Sequence, residues 1–322
     1  MRDHIEEDYE LVRVSDELFQ DFAQLVSRVY GTRPSDEEMR LRFHTDEWGA
    51  SYLGYFAYCR RTGEPAAFYG ILPCFVEYEG RKYLASQGSS AMTHPDHRFR
   101  NLFYKTAKRT YELAKEEGIA FSFAFPNPLS YPGFMKLGWT HDGNINSYHF
   151  FVPTIPLAFL GDRFKVLEPV ARRIFRWVTS RWRVEYYPFP NSSVAKGIVT
   201  PMRDELSNRF KPETDTRMIV CLESGTSVWI SLSSGRLSIG DIDLKGDKEK
   251  ELKRVLRTLR LICWLSGIFH IQTHLSPDCT LDVLLRDRGF VPRTNIPICH
   301  FDMTSAVPID KVHYTYGDFD TF

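Results

Sequence analysis

Residues Tyr83–Trp139 read YLASQGSSAMTHPDHRFRNLFYKTAKRTYELAKEEGIAFSFAFPNPLSYPGFMKLGW. The pattern predicts a strand, a basic turn, a helix, a second strand and, after a Pro-Asn-Pro break, a short helix ending at Leu137-Gly138. The long helix is the best specified element. Phe103, Ala107, Tyr111 and Ala114 form one stripe, Leu102, Thr106 and Leu113 widen it, and Gly118 stands where a C-terminal glycine belongs. Ile119–Phe125 is a nearly continuous apolar run of the length buried strands have. The turn from His94 to Asn101 sets Arg98 and Arg100 directly before the helix N-terminus. Such an end exposes unpaired amides and a partial positive charge, so the stretch reads as a site for a diphosphate-bearing cofactor.

On the N-terminal side, Tyr9–Val14 alternates weakly as a strand, and Ser15-Asp16-Glu17 offers a helix start. Leu18, Phe19, Phe22, Leu25, Val26 and Val29 then recur at helical spacing until Gly31. A second helix starts at Ser35. Strands over 52–60, 65–78 and 83–93, joined by the turns Arg61–Glu64 and Glu79–Arg81, predict an antiparallel meander. On the other side, Trp139–Val152 closes the first half with one or two strands. Residues 153–215 hold an amphipathic segment and a proline-rich stretch, which marks a domain junction. Strands at 218–222, 227–232 and 236–244, a helix over 247–265, a strand at 268–274, a short helix at 281–286 and a last strand at 291–301 follow. This order repeats the opening stretch, with Arg288-Gly289-Phe290 matching Leu137-Gly138-Trp139, so the chain reads as two copies of one architecture. The expected boundaries are 1–153, a linker and amphipathic segment at 154–215, and a degenerate second copy at 216–322.

The chain has 322 residues, enough for two domains, and its 41 basic and 41 acidic side chains cancel. A balanced charge argues against nucleic acid as partner. The six cysteines form no C-x-x-C pair and lie mostly in apolar runs, so no disulfide framework and no metal site is expected. The N-terminal MRDHIEEDYELVRV has no apolar leader core, and no apolar run approaches a membrane span. A cytoplasmic protein without stable membrane insertion is the expectation. Ile155–Trp182 mixes aromatics with arginines. The favoured reading is a helix packed on the core with solvated arginines, and the rival is a helix lying on a membrane surface.

His94-Pro95-Asp96-His97-Arg98-Phe99-Arg100-Asn101-Leu102-Phe103 and the run Asn127–Trp139 resemble the GNAT superfamily of acyl-CoA-dependent N-acetyltransferases. The resemblance covers about 150 residues closely, and the C-terminal half follows only in layout. It implies an α/β (α+β) fold of two GNAT-like domains. Each has a mixed, largely antiparallel central sheet flanked by helices, and the first has a V-shaped splay between two parallel strands. It implies acetyl-CoA as cofactor and a small-molecule amine as acceptor, with an amino sugar or cell-surface precursor as the preferred class. Cofactor contacts are then expected from Met92, Thr93, Arg98, Phe99, Arg100, Asn101, Leu102, Phe103, Asn127, Ser130 and Phe134. Asn101 and Phe103 replace the two small residues of the family's pyrophosphate turn, Ser130 stands at its usual alanine, and Phe134 stands at its usual tyrosine acid.

A phenyl ring cannot give a proton to a departing thiolate, so Tyr131, one helical turn earlier, is the candidate acid. His94 is the candidate base, weighed against a capping role. Ser89 and Ser90 serve only to position water, and His149 suits a structural role in its strand. The second half starts its helix with Lys245-Gly246-Asp247-Lys248-Glu249, whose acids repel a pyrophosphate, so it is expected not to bind the cofactor. For Trp229, Asp241, His270 and His274 a core role outweighs a site role. Two rival functions accompany the enzyme reading: a Fem-type aminoacyl transferase, and a non-catalytic GNAT-like binding protein suggested by Phe103 and Phe134. The acceptor, the acyl chain and the oligomeric state are not fixed by the sequence.

Overall fold

The computed structural model describes residues 8–164, 166–320 and 322. The segment 1–7, part of the stretch read as lacking a leader core, lies outside the described residues. The chain divides into two compact units. Unit 1 holds residues 1–143 and 297–310, and unit 2 holds 144–296 and 311–322. The expected linker 154–215 thus lies within unit 2, and the chain passes from one unit to the other inside a strand rather than at residue 153.

In unit 1, β1 (Tyr9–Arg13), β2 (Gly54–Cys59), β3 (Pro65–Tyr78) and β4 (Arg81–Thr93) form an antiparallel meander. β5 (Phe121–Ala124) joins β4 in parallel. Cys299–Asp302, the end of β13 (Arg293–Asp302), pairs antiparallel with β5. Strand alternation sends side chains to opposite faces. Tyr55 and Tyr69 enter one cluster with Ala107 and Tyr111 of α3 (Leu102–Glu116), while Phe56 and Phe68 enter another with Phe22 of α1 (Phe19–Tyr30) and Phe43 of α2 (Asp36–Phe43). Helices therefore cover both faces. Ser35 caps α2 reciprocally with Glu38, which fixes the helix start read from the sequence. α4 (Tyr131–Lys136) follows β5.

In unit 2, β6 (Thr140–Phe151, from Asn144 on), β12 (His270–Leu275), β11 (Arg236–Asp243), β10 (Ser227–Ser233), β9 (Arg217–Cys221) and β7 (Arg183–Val184) lie in that order. Only β11 and β12 run parallel among these pairs. One face packs on α6 (Glu168–Thr179) and α8 (Lys248–Ser266) through Phe175, Val178, Leu252, Val255, Leu259 and Ile262. α5 (Leu157–Arg163) lies beside α6. The remaining short elements are β8 (Thr200–Pro201), α7 (Glu205–Asn208) and α9 (Thr280–Asp287). The repeat is visible: β4–α3–β5–α4 and β11–α8–β12–α9 each contain one parallel strand pair crossed by a helix. The closing strands differ from expectation. Trp139–Val152 was expected to close the first half and 291–301 the second, yet β6 pairs with β12 and the end of β13 pairs with β5. Strand alternation says which face a residue takes but not which edge a strand joins, so the pattern carried no signal for this exchange.

Candidate active site

The splay between β4 and β5 follows from their short parallel register. They pair only at Ser86–Ser122 and Gln87–Phe123, while β4 continues to Thr93 against β3. A bulge redirects β4 at this point: Gly70 faces Ser90 and Ile71 faces Gly88, so Ser89 is the extra residue. From Gly88 onward, β5 no longer takes the far edge of β4. Gly88 matters here because a Cβ would stand 3.3 Å from the Tyr69 hydroxyl and 3.4 Å from the Ala124 Cβ. The floor of the splay is thus Gly88 and Ala124 over the buried Tyr69. Tyr69 shares a 2.6 Å hydrogen bond with Tyr111, which accepts one from Trp139 Nε1 at 3.1 Å. Burial pushes both phenols above their ordinary range.

The β4 strand ends in a one-turn helix over Pro95–His97. His94, expected as a candidate base, caps it: its Nδ1 accepts the Asp96 amide at 3.2 Å. His97 shares a 2.8 Å hydrogen bond with Tyr9, and burial, reinforced by His94, lowers its pKa. Arg98, Phe99, Arg100 and Asn101 are exposed. Phe99 and Asn101 have φ of 64° and 56°, in the left-handed region that usually asks for glycine. Asn101 is the N-cap of α3, yet its side chain makes no cap bond, and no acid stands in the first turn. The resulting helix start directs backbone N–H groups and two arginines outward, which suits an anion. Leu102 is buried against Tyr9, Ala57 and Ala66. Phe103 does not fill the cradle. Its ring turns toward Tyr69 and Phe134, with centroids at 5.6 and 5.9 Å, and lies where a Cβ on Gly133 would be 2.7 Å away. A groove of about 930 Å³ runs along this helix, lined among others by Asn101, Phe103, Lys105, Lys108, Gly133 and Lys136.

Met92 is buried beside Phe68, and Met92 and Thr93 pair with β3. Asn127 organises the β5–α4 turn: its Oδ1 accepts the amides of Leu129 and Ser130 at 2.9 and 3.0 Å, and the Ser130 hydroxyl lies 3.3 Å away. The oxygen is committed to the turn, and Nδ2 is the donor end. Phe134 is buried against Trp139 at 4.6 Å. Tyr131 is partly exposed, and its hydroxyl lies 3.0 Å from His141 Nδ1. His141 Nε2 is 2.8 Å from the Gly143 carbonyl. A carbonyl only accepts, so Nε2 carries hydrogen, and in the neutral ring Nδ1 accepts the Tyr131 proton. The structure therefore brings Arg98–Phe103 together at one turn and Asn127, Ser130 and Tyr131 at another.

Three contacts had no sequence signal. Arg42 of α2 donates to the hydroxyls of Ser89 and Ser90 at 2.7 and 2.6 Å, which places a guanidinium at the bulge. Tyr30 donates to the Ala91 carbonyl at 3.1 Å. His141 orients Tyr131. Each partner lies on another element, so only the fold reveals it. The remaining base candidate, His149, pairs with His270 at 2.9 Å on the unit 2 sheet.

The corresponding helix start in unit 2 is acidic and capped. Asp247 caps α8 by accepting the Lys250 amide, with Glu249 and Glu251 in the first turn. Its own strand bulge at Gly240 is covered by the Phe322 ring, 2.4 Å from where a Cβ would lie. Trp229, His270 and His274 are buried, and Asp241 is paired with Arg203 at 2.6 Å. Among the described residues, no group of three His, Cys, Asp or Glu is placed to hold a metal ion.

Residues 10–141 match the family model described as acetyltransferase (GNAT) domain. The chain is similar to the solved structure of a GCN5-related N-acetyltransferase from Kribbella flavida, at 15% identity and TM-score 0.59. It is also similar to a probable N-acyltransferase from Enterococcus faecalis V583, at 12% identity and TM-score 0.61. In both cases 92% of this chain and 73% of the other are covered. It is similar as well to Saccharomyces cerevisiae N-myristoyltransferase, solved with bound myristoyl-CoA, at 11% identity and TM-score 0.52, over 94% of this chain and 83% of that one. At such identities the likeness is one of fold. No curated protein matches the sequence. The splayed parallel pair, the helix-end cradle and the family match coincide in one segment, and residues 10–141 are a domain of the GNAT acetyltransferase family.

Proposed function

We propose that this domain is an acyl-CoA-dependent N-acyltransferase, with acetyl as the acyl group and a small-molecule amine as acceptor, preferably an amino sugar or similar cell-surface precursor. The observation that carries the reading is the conjunction at the end of β4: an edge abandoned by β5 at Gly88 leads into an uncapped helix start flanked by Arg98 and Arg100. The amides at Asn101–Phe103 and the two guanidiniums hold the diphosphate. The far edge of Gly88–Thr93, including Met92 and Thr93, and Asn127 Nδ2 take the amide-bearing arm, as an added strand does. Bound acyl-CoA supplies an activated thioester carbonyl. Tyr131 Oη, positioned by its hydrogen bond to His141 Nδ1, turns its proton from that ring to the departing sulfur. Ser89 and Ser90 accept from Arg42 and are positioned to order a water beside the acceptor, and that water takes the proton the amine loses on forming the amide. His94 is held as a cap, which leaves proximity as the main aid to the attacking amine.

Titration calorimetry with acetyl-CoA tests the reading. The wild type should bind, and Arg98→Ala/Arg100→Ala should weaken binding about 10- to 100-fold, the loss of charge-assisted bonds to phosphate. No heat with the wild type overturns the proposal. A second reading, binding without turnover, is favoured by the buried Phe134 phenyl at the family's acid position. Thiol release with a panel of amines separates the two, since a pure binder releases none.

A further inference from the structure

The segment Ile155–Trp182 has no part in the site of unit 1. α6 buries Ala171, Phe175 and Val178 and turns Val170 and Trp177, seven residues apart, outward on one face. Trp177 is 76% exposed. Ile155, Phe159, Phe164 and Val166, just ahead of it, are exposed too. α5 packs on α6, and α6 packs on α8. The start of the segment is tied to the end of α8, where Thr154 Oγ1 donates to the Trp264 carbonyl and the Ala158 amide to the Gly267 carbonyl, both at 3.0 Å. There α8 adds Leu261, Trp264 and Leu265, exposed at helical spacing. Six large apolar side chains exposed on three packed helices, with Ile155, Phe164 and Val166 on the chain beside them, exceed the scattered exposure a solvated surface carries.

Charge decides the partner. Residues 155–182 contain six basic and two acidic side chains, in a chain that balances 41 against 41. Arg163, Arg172, Arg173 and Arg176 are exposed in the same segment, and α8 exposes Lys253, Arg257 and Arg260. Arg172 and Arg176 also make exposed ion pairs with Glu168 and Asp215, which water screens. Tryptophan and phenylalanine interleaved with arginine match the headgroup layer of an anionic bilayer, where rings sit at the acyl boundary and guanidiniums meet phosphates. A purely apolar protein partner would leave these cations facing a low-dielectric contact. No described helix is long and apolar enough to cross a membrane, so the geometry suits lying on one.

We infer that the α5–α6–α8 face of unit 2 docks on the surface of a bilayer containing anionic lipid. Vesicle flotation of the full chain tests this, with phosphatidylcholine alone and with phosphatidylcholine plus phosphatidylglycerol. The chain should float only with the anionic vesicles, release in high salt, and show a blue shift of tryptophan emission on binding. Trp177→Ser/Phe164→Ser should lower partition about tenfold or more, and Arg172→Glu/Arg173→Glu/Arg176→Glu should abolish it. All five positions are exposed, so circular dichroism and Tm should match the wild type. Absence of flotation and of the blue shift with wild-type chain and anionic vesicles at low salt overturns the proposal. So does a dimer in light scattering that Trp177→Ser splits, because the face would then belong to a second copy.

Discussion

At the residue scale the question is where a proton for the leaving group resides. The family pattern points to position 134, where this chain has phenylalanine, buried against Trp139 and Phe103. The sequence already showed that Phe134 cannot serve and that Tyr131 stands one turn earlier. It did not show His141, which aligns the Tyr131 hydroxyl and is itself fixed by the Gly143 carbonyl. Tyr131→Phe removes the proton but keeps the ring and its edge contact with His141. The expected outcome is a fall in kcat of about a hundredfold with the KM for acetyl-CoA nearly unchanged, measured by thiol release across a range of pH. An unchanged kcat would assign protonation of the sulfur to solvent. Phe103 shows the limit of reading positions singly: it replaces a small residue of the family turn, yet its partly buried ring packs toward Tyr69, Phe134 and Gly133 and forms one wall of the groove.

At the scale of elements most of the fold was legible. The apolar, aromatic-rich runs at Gly54–Cys59 and Pro65–Tyr78 with a turn between them, the stripe of Leu102–Glu116 and the helix start at Ser35 all translate directly into the observed strands and helices. The turn between β4 and α3 was legible as basic but not as strained. Phe99 has φ of 64° and an exposure of 103%, so its side chain gains nothing from packing while its backbone sits in a conformation unfavourable by about 1–2 kcal/mol. Phe99→Gly relieves that strain, against the greater freedom glycine has when unfolded. A net gain of about 0.5–1 kcal/mol is expected, a Tm rise of a few degrees. On the proposed reading the exposed ring between Arg98 and Arg100 covers bound cofactor, so calorimetry should show acetyl-CoA binding weakened about fivefold in this variant. A variant that is less stable, or binds as well as wild type, would remove this account of Phe99.

At the scale of the whole molecule, what the sequence could not disclose was the exchange of closing strands, because β6 and β13 have ordinary alternation and nothing in it selects an edge. The exchange has a chemical consequence within unit 2. It sets His149, Ser147 and Phe151 of β6 beside His270 and His274 of β12. His270 shares its hydrogen bond with His149 and stacks on Phe151 at 5.0 Å, and His274 bonds to Ser147 at 2.9 Å under Tyr316 and Phe319. Burial, reinforced by His149, lowers both His270 and His274 to about 4, against the usual 6.5. Their folded pKa values are depressed, so above 6.5 both the folded and unfolded chains hold them neutral and stability is at its full value. As pH falls from 6.5 toward 4 the unfolded chain takes up protons that the folded one refuses, and stability declines across that window. Denaturant midpoints followed by tryptophan fluorescence should therefore be level above about pH 7 and drop steadily between 6.5 and 4. In a His270→Gln variant, which keeps a polar group beside His149 without the titration, the slope should be visibly shallower. A slope equal to that of the wild type would mean that the acid sensitivity arises from other titrating groups of the chain, such as His97, His149, His274 and His313, whose pKa values are also lowered.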